Sequence, residues 1–99
     1  MQFLVIAEDS KDPATLDRRK AVREEHTALA TKLKEEGHGL FGAALTDAEG
    51  NPIGSVYICD FPSRAELDDY LQTEAYAREK IWEHITVREC KVGPLFVKG

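Results

Sequence analysis

The sequence predicts an α+β fold in which four strands and two helices follow the order β-α-β-β-α-β. Three observations support it: an apolar run at the N-terminus, two segments with helical spacing, and a turn cluster between two strand-like segments. This order is the split βαβ, or ferredoxin-like, arrangement, in which two helices cover one face of an antiparallel sheet. The length of 99 residues predicts a single domain that spans residues 1–99.

The first half of the chain begins with a strand and continues into a long helix. The strand "QFLVIAED" is apolar on both faces, as is typical of a buried central strand. Asp12 can cap the following helix, and Pro13 suits the first helical position. The pattern predicts one helix that runs to about Glu36 and stops at Gly37, a residue suited to a helix end. Its inward stripe consists of Leu16, Val22, Leu29 and Leu33.

The second half of the chain reads as a hairpin, a helix and a final strand. "HGLFGAALTD" and "IGSVYICDF" are strand-like and are joined by the turn cluster "DAEGNPIG". Ser63 and Glu66 form a capping box that starts the next helix, and a shorter helical turn follows. "WEHITVRECKV" alternates as a strand, and strict alternation places Trp82 on the same face as His84. The tail "GPLFVKG" is predicted to pack on a partner subunit or to add an edge strand.

Composition limits the classes of partner that the protein can have. The net charge of −5 and a pI near 5.1 disfavour nucleic acid, which requires a concentrated positive field. No apolar run approaches the roughly 18 residues that a membrane span requires. The N-terminus lacks the features of a signal peptide, so we expect a cytoplasmic protein. Cys59 and Cys90 belong to no CxxC pair and are predicted to be buried, reduced thiols.

One histidine lies on the inward face of the first helix. His26 follows Val22 by four residues and precedes Leu29 by three, so it falls on the apolar stripe. Such a residue is either a core histidine with a satisfied nitrogen or a general acid/base. Arg23 and Arg19 precede it by one and two turns and can bind an anion, although solvated helices carry similar charges.

Three segments carry a resemblance that extends from about Phe3 to Val92: "VREEH", the hairpin "GLFGAALTDAEGNPIGSVYICDF" and "WEHITV". Together they resemble the YCII-related family of the dimeric α+β barrel superfamily. The family's Arg-x-x-His segment is matched by Arg23 and His26. Its Asp-Pro-Tyr segment reads Glu74-Ala75-Tyr76 here, which keeps an acid but lacks the proline.

This resemblance implies a His–acid dyad that acts on a small molecule without a cofactor. It implies that His26 is the general acid/base, that Glu74 orients it, and that Arg23, Arg19 and Tyr76 bind a small polar or aromatic substrate. The implied reaction is a proton transfer of the lyase, dehydrochlorinase or isomerase type. No metal is expected, because the three histidines share none of the usual ligand spacings.

Two other functions and a homodimer are also expected from the sequence. A pocket between the first helix and the sheet can hold a small ligand in a non-catalytic binding or accessory module. Alternatively, the chain can be a cofactor-free monooxygenase, as in other branches of the superfamily. The first two strands present apolar side chains on the face without helices. Pairing two such sheets face to face covers them, so we expect a homodimer with a barrel-like interior.

Overall fold

The computed structural model describes residues 1–96 and contains one four-stranded antiparallel sheet. The strands lie in the order β2-β3-β1-β4, so the N-terminal strand is central. This confirms the ferredoxin-like α+β fold. The elements are β1 (Gln2–Asp9), α1 (Thr15–Ala21), α2 (Arg23–Glu35), β2 (Gly39–Thr46), β3 (Pro52–Asp60), α3 (Arg64–Thr73), α4 (Ala75–Arg78) and β4 (Trp82–Cys90).

The core lies between the helices and one face of the sheet. Alternate residues of β1 are buried on this face, namely Phe3, Val5 and Ala7. Leu33 of α2 and Leu67 of α3 pack into the cluster that contains Phe3 and Val5. A second cluster forms around Ala7 from the residues Tyr76, Ile81 and Trp82. Burial of this apolar surface is the main favourable term in the folding of a chain of this size.

The predicted single first helix is in fact two helices. The helix breaks at Val22, whose φ of −110° and ψ of 11° are not helical, and α2 starts directly afterwards. The helix also starts at Thr15, so Pro13 precedes it, while the Asp12 carboxylate accepts a hydrogen bond from the Ala14 N–H at 2.8 Å. The break has no local signal such as glycine or proline. Arg19 of α1 forms a buried ion pair with Asp9 of β1, described below, which links α1 to the sheet.

The predicted alternation of β4 is wrong at its first residue. The pairing of β1 with β4 is irregular between Glu8 and Asp9, where Glu8 faces His84 but Asp9 faces Trp82. The extra residue places Trp82 on the helix side, where it is buried against Tyr76, while His84 is exposed. A bulge of this kind re-aims a side chain without ending the strand. It brings the indole ring to the candidate site.

The predicted turns and the Ser63 cap agree with the structure, whereas Pro13 does not take the first helical position that was predicted for it. Gly37 and Gly50 have φ values of 83° and 84°, which glycine adopts without steric cost. The Ser63 hydroxyl accepts a hydrogen bond from the Glu66 N–H at 3.2 Å at the start of α3.

Both cysteines are free thiols. Cys59 is buried as predicted, whereas Cys90 is only half-buried.

The sheet face opposite the helices carries apolar side chains. Leu4 and Ile6 of β1 point to this face and are only partly buried, as are Val56 and Ile58, which pair with them. Phe41 on β2 is 58% exposed. In the tail, Leu95 and Phe96 are exposed and lie in a turn, and the rest of the predicted tail lies outside the described residues. None of the helices among residues 1–96 is long and apolar enough to cross a membrane.

Candidate active site

A histidine and a glutamate that are 48 residues apart in sequence meet beside the helices. Nδ1 of His26 lies 2.9 Å from both Oε1 and Oε2 of Glu74. The Glu74 side chain is 1% exposed and the His26 side chain is 26% exposed. Glu74 sits between α3 and α4, where its Oε1 also accepts a hydrogen bond from the Tyr76 N–H at 3.1 Å. The capping role therefore fixes the carboxylate that faces the imidazole.

This contact determines which imidazole nitrogen is available for chemistry. A carboxylate can only accept hydrogen bonds, so Nδ1 of His26 must carry the proton that is shared with Glu74. In the neutral imidazole, Nε2 then holds a lone pair. Nε2 makes no hydrogen bond to any of residues 1–96. The arrangement leaves one basic nitrogen of defined orientation, as a general base requires.

Tyr76 forms an aromatic platform for the histidine. The rings of His26 and Tyr76 stack with their centroids 3.9 Å apart and an interplanar angle of 9°. Trp82 approaches His26 edge-on, with ring centroids 6.4 Å apart. Burial raises the pKa of the Tyr76 phenol, against a smaller lowering by Arg19, so the phenol stays protonated at neutral pH. These contacts restrict the imidazole to one orientation.

The two arginines of the predicted site have different surroundings. Arg19 is buried, and its Nη1 lies 2.8 Å from both carboxylate oxygens of Asp9. Its Nη2 donates to the Ser55 hydroxyl at 3.1 Å, and the guanidinium lies 4.4 Å from the centre of the Tyr76 ring. Arg23 is exposed at the start of α2. Arg19 thus uses its donors inside the protein, whereas Arg23 is accessible to a ligand.

A cleft of about 740 Å³ opens between α2 and β2 beside the histidine. His26, Glu74 and Tyr76 line it, together with Tyr57 of β3. Small residues of β2, such as Gly42 and Ala44, leave room on the sheet side of the cleft. Exposed cations line its solvent side, namely Lys20, Arg23 and Lys34. The volume is that of a site for a small organic molecule.

The remaining histidines are not part of this cleft. Nδ1 of His38 lies 2.7 Å from the Asp60 carbonyl oxygen, and its ring stacks on Phe61 with centroids 4.5 Å apart. His84 is exposed on β4. Within residues 1–96, no three His, Cys, Asp or Glu side chains lie close enough together to hold a metal ion.

The sequence analysis missed Tyr57, which lines the cleft, and Asp9, which holds the lining residue Arg19. Tyr57 faces the helices because it pairs with Val5, and the alternation of β3 contained that information. Asp9 pairs with Arg19, and nothing in the local sequence around Asp9 indicates this pair. A periodic pattern assigns a residue to a face, but it does not reveal a partner from another element.

The fold and the geometry define a ferredoxin-like α+β protein with a histidine–carboxylate pair that lines a cleft. The chain belongs to the YCII-related domain family, whose model matches residues 1–91. It is 26% identical over 97 residues to Protein YciI of Escherichia coli, with 92% of this chain and 97% of that protein covered.

Solved structures share the fold of this chain. One is the 5-chloro-2-hydroxyhydroquinone dehydrochlorinase TftG from Burkholderia phenoliruptrix AC1100, in complex with 2,5-dihydroxybenzoquinone. It matches with a TM-score of 0.83 at 21% identity, covering 96% of this chain and 98% of that one. Another is a dimeric ferredoxin-like protein from Jannaschia sp. CCS1, with a TM-score of 0.54 at 17% identity, covering 92% of this chain and 98% of that one.

Proposed function

We propose that this protein is a cofactor-independent enzyme that moves a proton on a small polar or aromatic substrate. The observation that carries the proposal is the contact of Nδ1 of His26 with both oxygens of the buried Glu74 carboxylate at 2.9 Å. A histidine oriented in this way, with its other nitrogen unbonded, is arranged for general acid/base catalysis. The reaction class is an elimination of the lyase or dehydrochlorinase type, or an isomerisation.

In the proposed elimination, Nε2 of His26 removes a proton from a substrate carbon or oxygen. The electron pair of the broken bond forms the new double bond, and the leaving group departs with its own electron pair. Glu74 stabilises the imidazolium that forms, because its negative charge lies against the protonated Nδ1. In an isomerisation, the same nitrogen returns the proton to a different atom of the substrate.

The remaining site residues bind the substrate or hold the site in place. Arg23 is the accessible cation for an anionic oxygen of the substrate, and a guanidinium suits a carboxylate or a phenolate. The Tyr76 phenol is protonated and supplies a donor beside the histidine. Arg19 is a positioning residue rather than a direct ligand, because its bonds to Asp9 and Ser55 hold it under the Tyr76 ring.

We also propose that two chains pair through the open sheet face. The support is the row of partly buried apolar residues on this face, with Ile6 and Ile58 near its centre, and the dimeric state of the Jannaschia protein. The pairing would enclose these side chains and leave the cleft of each subunit on the helix side of its sheet.

The test of the catalytic proposal is the substitution His26→Gln. We expect chloride release from 5-chloro-2-hydroxyhydroquinone to fall by about 10²- to 10⁴-fold, the usual contribution of a general acid/base. The melting temperature should stay near that of the wild type, because glutamine retains an amide that can bond to Glu74. His38→Gln is the matched control, since His38 stacks on Phe61 outside the cleft, and it should leave turnover unchanged.

The alternative is a binding module that holds a small ligand without converting it. The observation in its favour is the cleft itself, because a cleft can bind a small molecule without catalysing a reaction. Binding of 2,5-dihydroxybenzoquinone without turnover of the chlorinated substrate would support this alternative. Turnover that is equal in the wild type and in His26→Gln would contradict the assigned role of the histidine.

A further inference from the structure

The cleft beside His26 carries the opposite charge to the chain as a whole. The protein has a net charge of −5, yet within residues 1–96 every exposed charged residue that lines the cleft is a cation. These cations are Lys20, Arg23 and Lys34. Glu74 is the only acid of this lining, and its carboxylate is buried against His26. A cleft lined by charges of one sign concentrates ions of the other sign, so this cleft attracts anions.

The three cations are not neutralised by acids of the described part of the chain. Two exposed arginines elsewhere, Arg64 and Arg78, form ion pairs with carboxylates at 2.9 and 2.7 Å. Within residues 1–96, Lys20, Arg23 and Lys34 form no ion pair. Their positive charges are therefore available to a ligand that enters the cleft.

The cations lie at two separate ends of the cleft. Arg23 is the first residue of α2, and Lys34 follows it by eleven residues on the same helix face. At a rise of 1.5 Å per residue, the two positions are about 16 Å apart along the helix. The end at Lys34 is where α2 approaches β2, because a Cβ atom added at Gly39 would lie 3.3 Å from the Lys34 backbone nitrogen. His26 lies one turn after Arg23, so only the first end adjoins the histidine.

The lining between the two cationic ends is uncharged. On the α2 side it consists of Thr27, Ala30 and Leu33, and on the β2 side it includes Leu40 and Ala44. Apolar walls of this kind bind the hydrocarbon part of a ligand, while a few polar groups fix its orientation. The cleft therefore suits a ligand with an apolar middle and an acid group at each end.

We propose that the cleft binds an elongated dianion, such as a dicarboxylate, and that Lys34 is a specificity-determining residue that binds the acid group far from His26. Lys20 and Arg23 bind the acid group beside the histidine. The Lys34 ammonium stands on a flexible four-carbon stem, so it can reach acid groups at different positions along the cleft. This inference rests on the proposed function in that it takes the same cleft as the substrate site and adds the substrate's chemical class. It requires no turnover.

Calorimetric titration of the wild type with suberate and with octanoate tests the proposal. Suberate carries a carboxylate at each end of its chain, whereas octanoate has the same chain length and a carboxylate at one end only. We expect suberate to bind about fivefold more tightly, as for one additional exposed ion pair. The titrations are run at about 0.15 M salt, where charges more than about 8 Å apart are largely screened.

The substitution Lys34→Glu should remove this preference. We expect suberate to bind about tenfold more weakly, because an attractive charge becomes a repulsive one, while octanoate binding changes by less than about twofold. Lys32→Glu is the matched control. It makes the same charge change in the last turn of the same helix, but Lys32 is not among the residues that line the cleft, so both affinities should stay unchanged.

Three results would overturn this inference: equal affinities of the wild type for suberate and octanoate, equal losses in Lys34→Glu and Lys32→Glu, or failure of both ligands to bind. Its failure is distinguishable from that of the catalytic proposal. If His26→Gln abolishes turnover while Lys34→Glu binds suberate normally, the catalytic role stands and the dianion site is refuted. If His26→Gln retains turnover while Lys34→Glu loses suberate, the dianion site stands and the catalytic role of His26 is refuted.

Discussion

At the scale of single residues, the most informative feature apart from the contact of His26 with Glu74 is the buried ion pair of Arg19 and Asp9. Their side chains are only 8% and 5% exposed, and the Nη1–Oδ2 distance is 2.8 Å. Burial raises the pKa of Asp9 in spite of the neighbouring guanidinium, so desolvation outweighs the attraction between the two charges. The ion pair therefore serves to position Arg19 more than to stabilise the fold.

Removing one member of this pair should be costly. Asp9→Asn leaves the Arg19 guanidinium buried without its counter-charge, so we expect the free energy of unfolding to fall by about 3–5 kcal/mol. Urea denaturation measures the loss. Asp68→Asn is the matched control, because it breaks an ion pair with Arg64 whose members are about half exposed, and it should cost less than about 1 kcal/mol. Equal losses in the two variants would disprove the buried role of Asp9.

The two cysteines should differ in reactivity. Burial raises the pKa of the Cys59 thiol to about 12, with smaller contributions from Cys90 and Asp60. The thiolate is the reactive form, so Cys59 of the folded protein should resist a thiol reagent at pH 8. Because the folded pKa is raised, unfolding releases this proton at alkaline pH, and the contribution of the thiol to stability is lost as the pH rises toward 12.

Thiol titration with a chromogenic disulfide reagent at pH 8 checks this prediction. We expect one rapid reaction, at the half-exposed Cys90, and a second that appears only in denaturant. The Cys90→Ser variant should therefore show no rapid phase. Rapid labelling of two thiols in the folded wild type would contradict the burial of Cys59.

At the scale of elements, β2 determines the room in the cleft. A Cβ atom added at Gly42 would meet its nearest neighbour, Cβ of Tyr57, at 3.9 Å, an ordinary van der Waals distance. Larger side chains at this position are thus tolerated by the sheet and extend toward the helices, into the cleft. Glycine inside a strand is otherwise unfavourable, so its presence here fits a need for space.

Gly42→Val should block ligand binding while the fold is kept. We expect affinity for 2,5-dihydroxybenzoquinone to fall at least tenfold and the melting temperature to hold or rise, since valine favours strands. Gly42→Ala is the graded control, because a single methyl group occupies little of the 740 Å³ cleft. Unchanged affinity in Gly42→Val would show that the ligand binds elsewhere.

At the scale of the whole molecule, the open sheet face is the proposed interface between two chains. Ile6→Lys introduces a charge at the centre of this face. The lysine ammonium would be solvated in a monomer but buried in a dimer. Because an unpaired buried charge is strongly unfavourable, we expect the mass measured by light scattering to fall from twice 11.1 kDa to 11.1 kDa. Gln72→Lys adds the same charge on the exposed surface of α3 and should leave the mass unchanged. A wild type of 11.1 kDa would refute the pairing.

The sequence alone determined the order of the elements, the central position of β1 and the inward placement of His26. These features follow from periodicity and turn residues, which act over a few neighbouring positions. The tertiary structure decided the break at Val22, the placement of Trp82 and the pairing of Arg19 with Asp9. It also brought His26 against Glu74 across 48 residues, a contact that only the family resemblance suggested. Such features depend on partners from other elements, and local patterns hold no information about them.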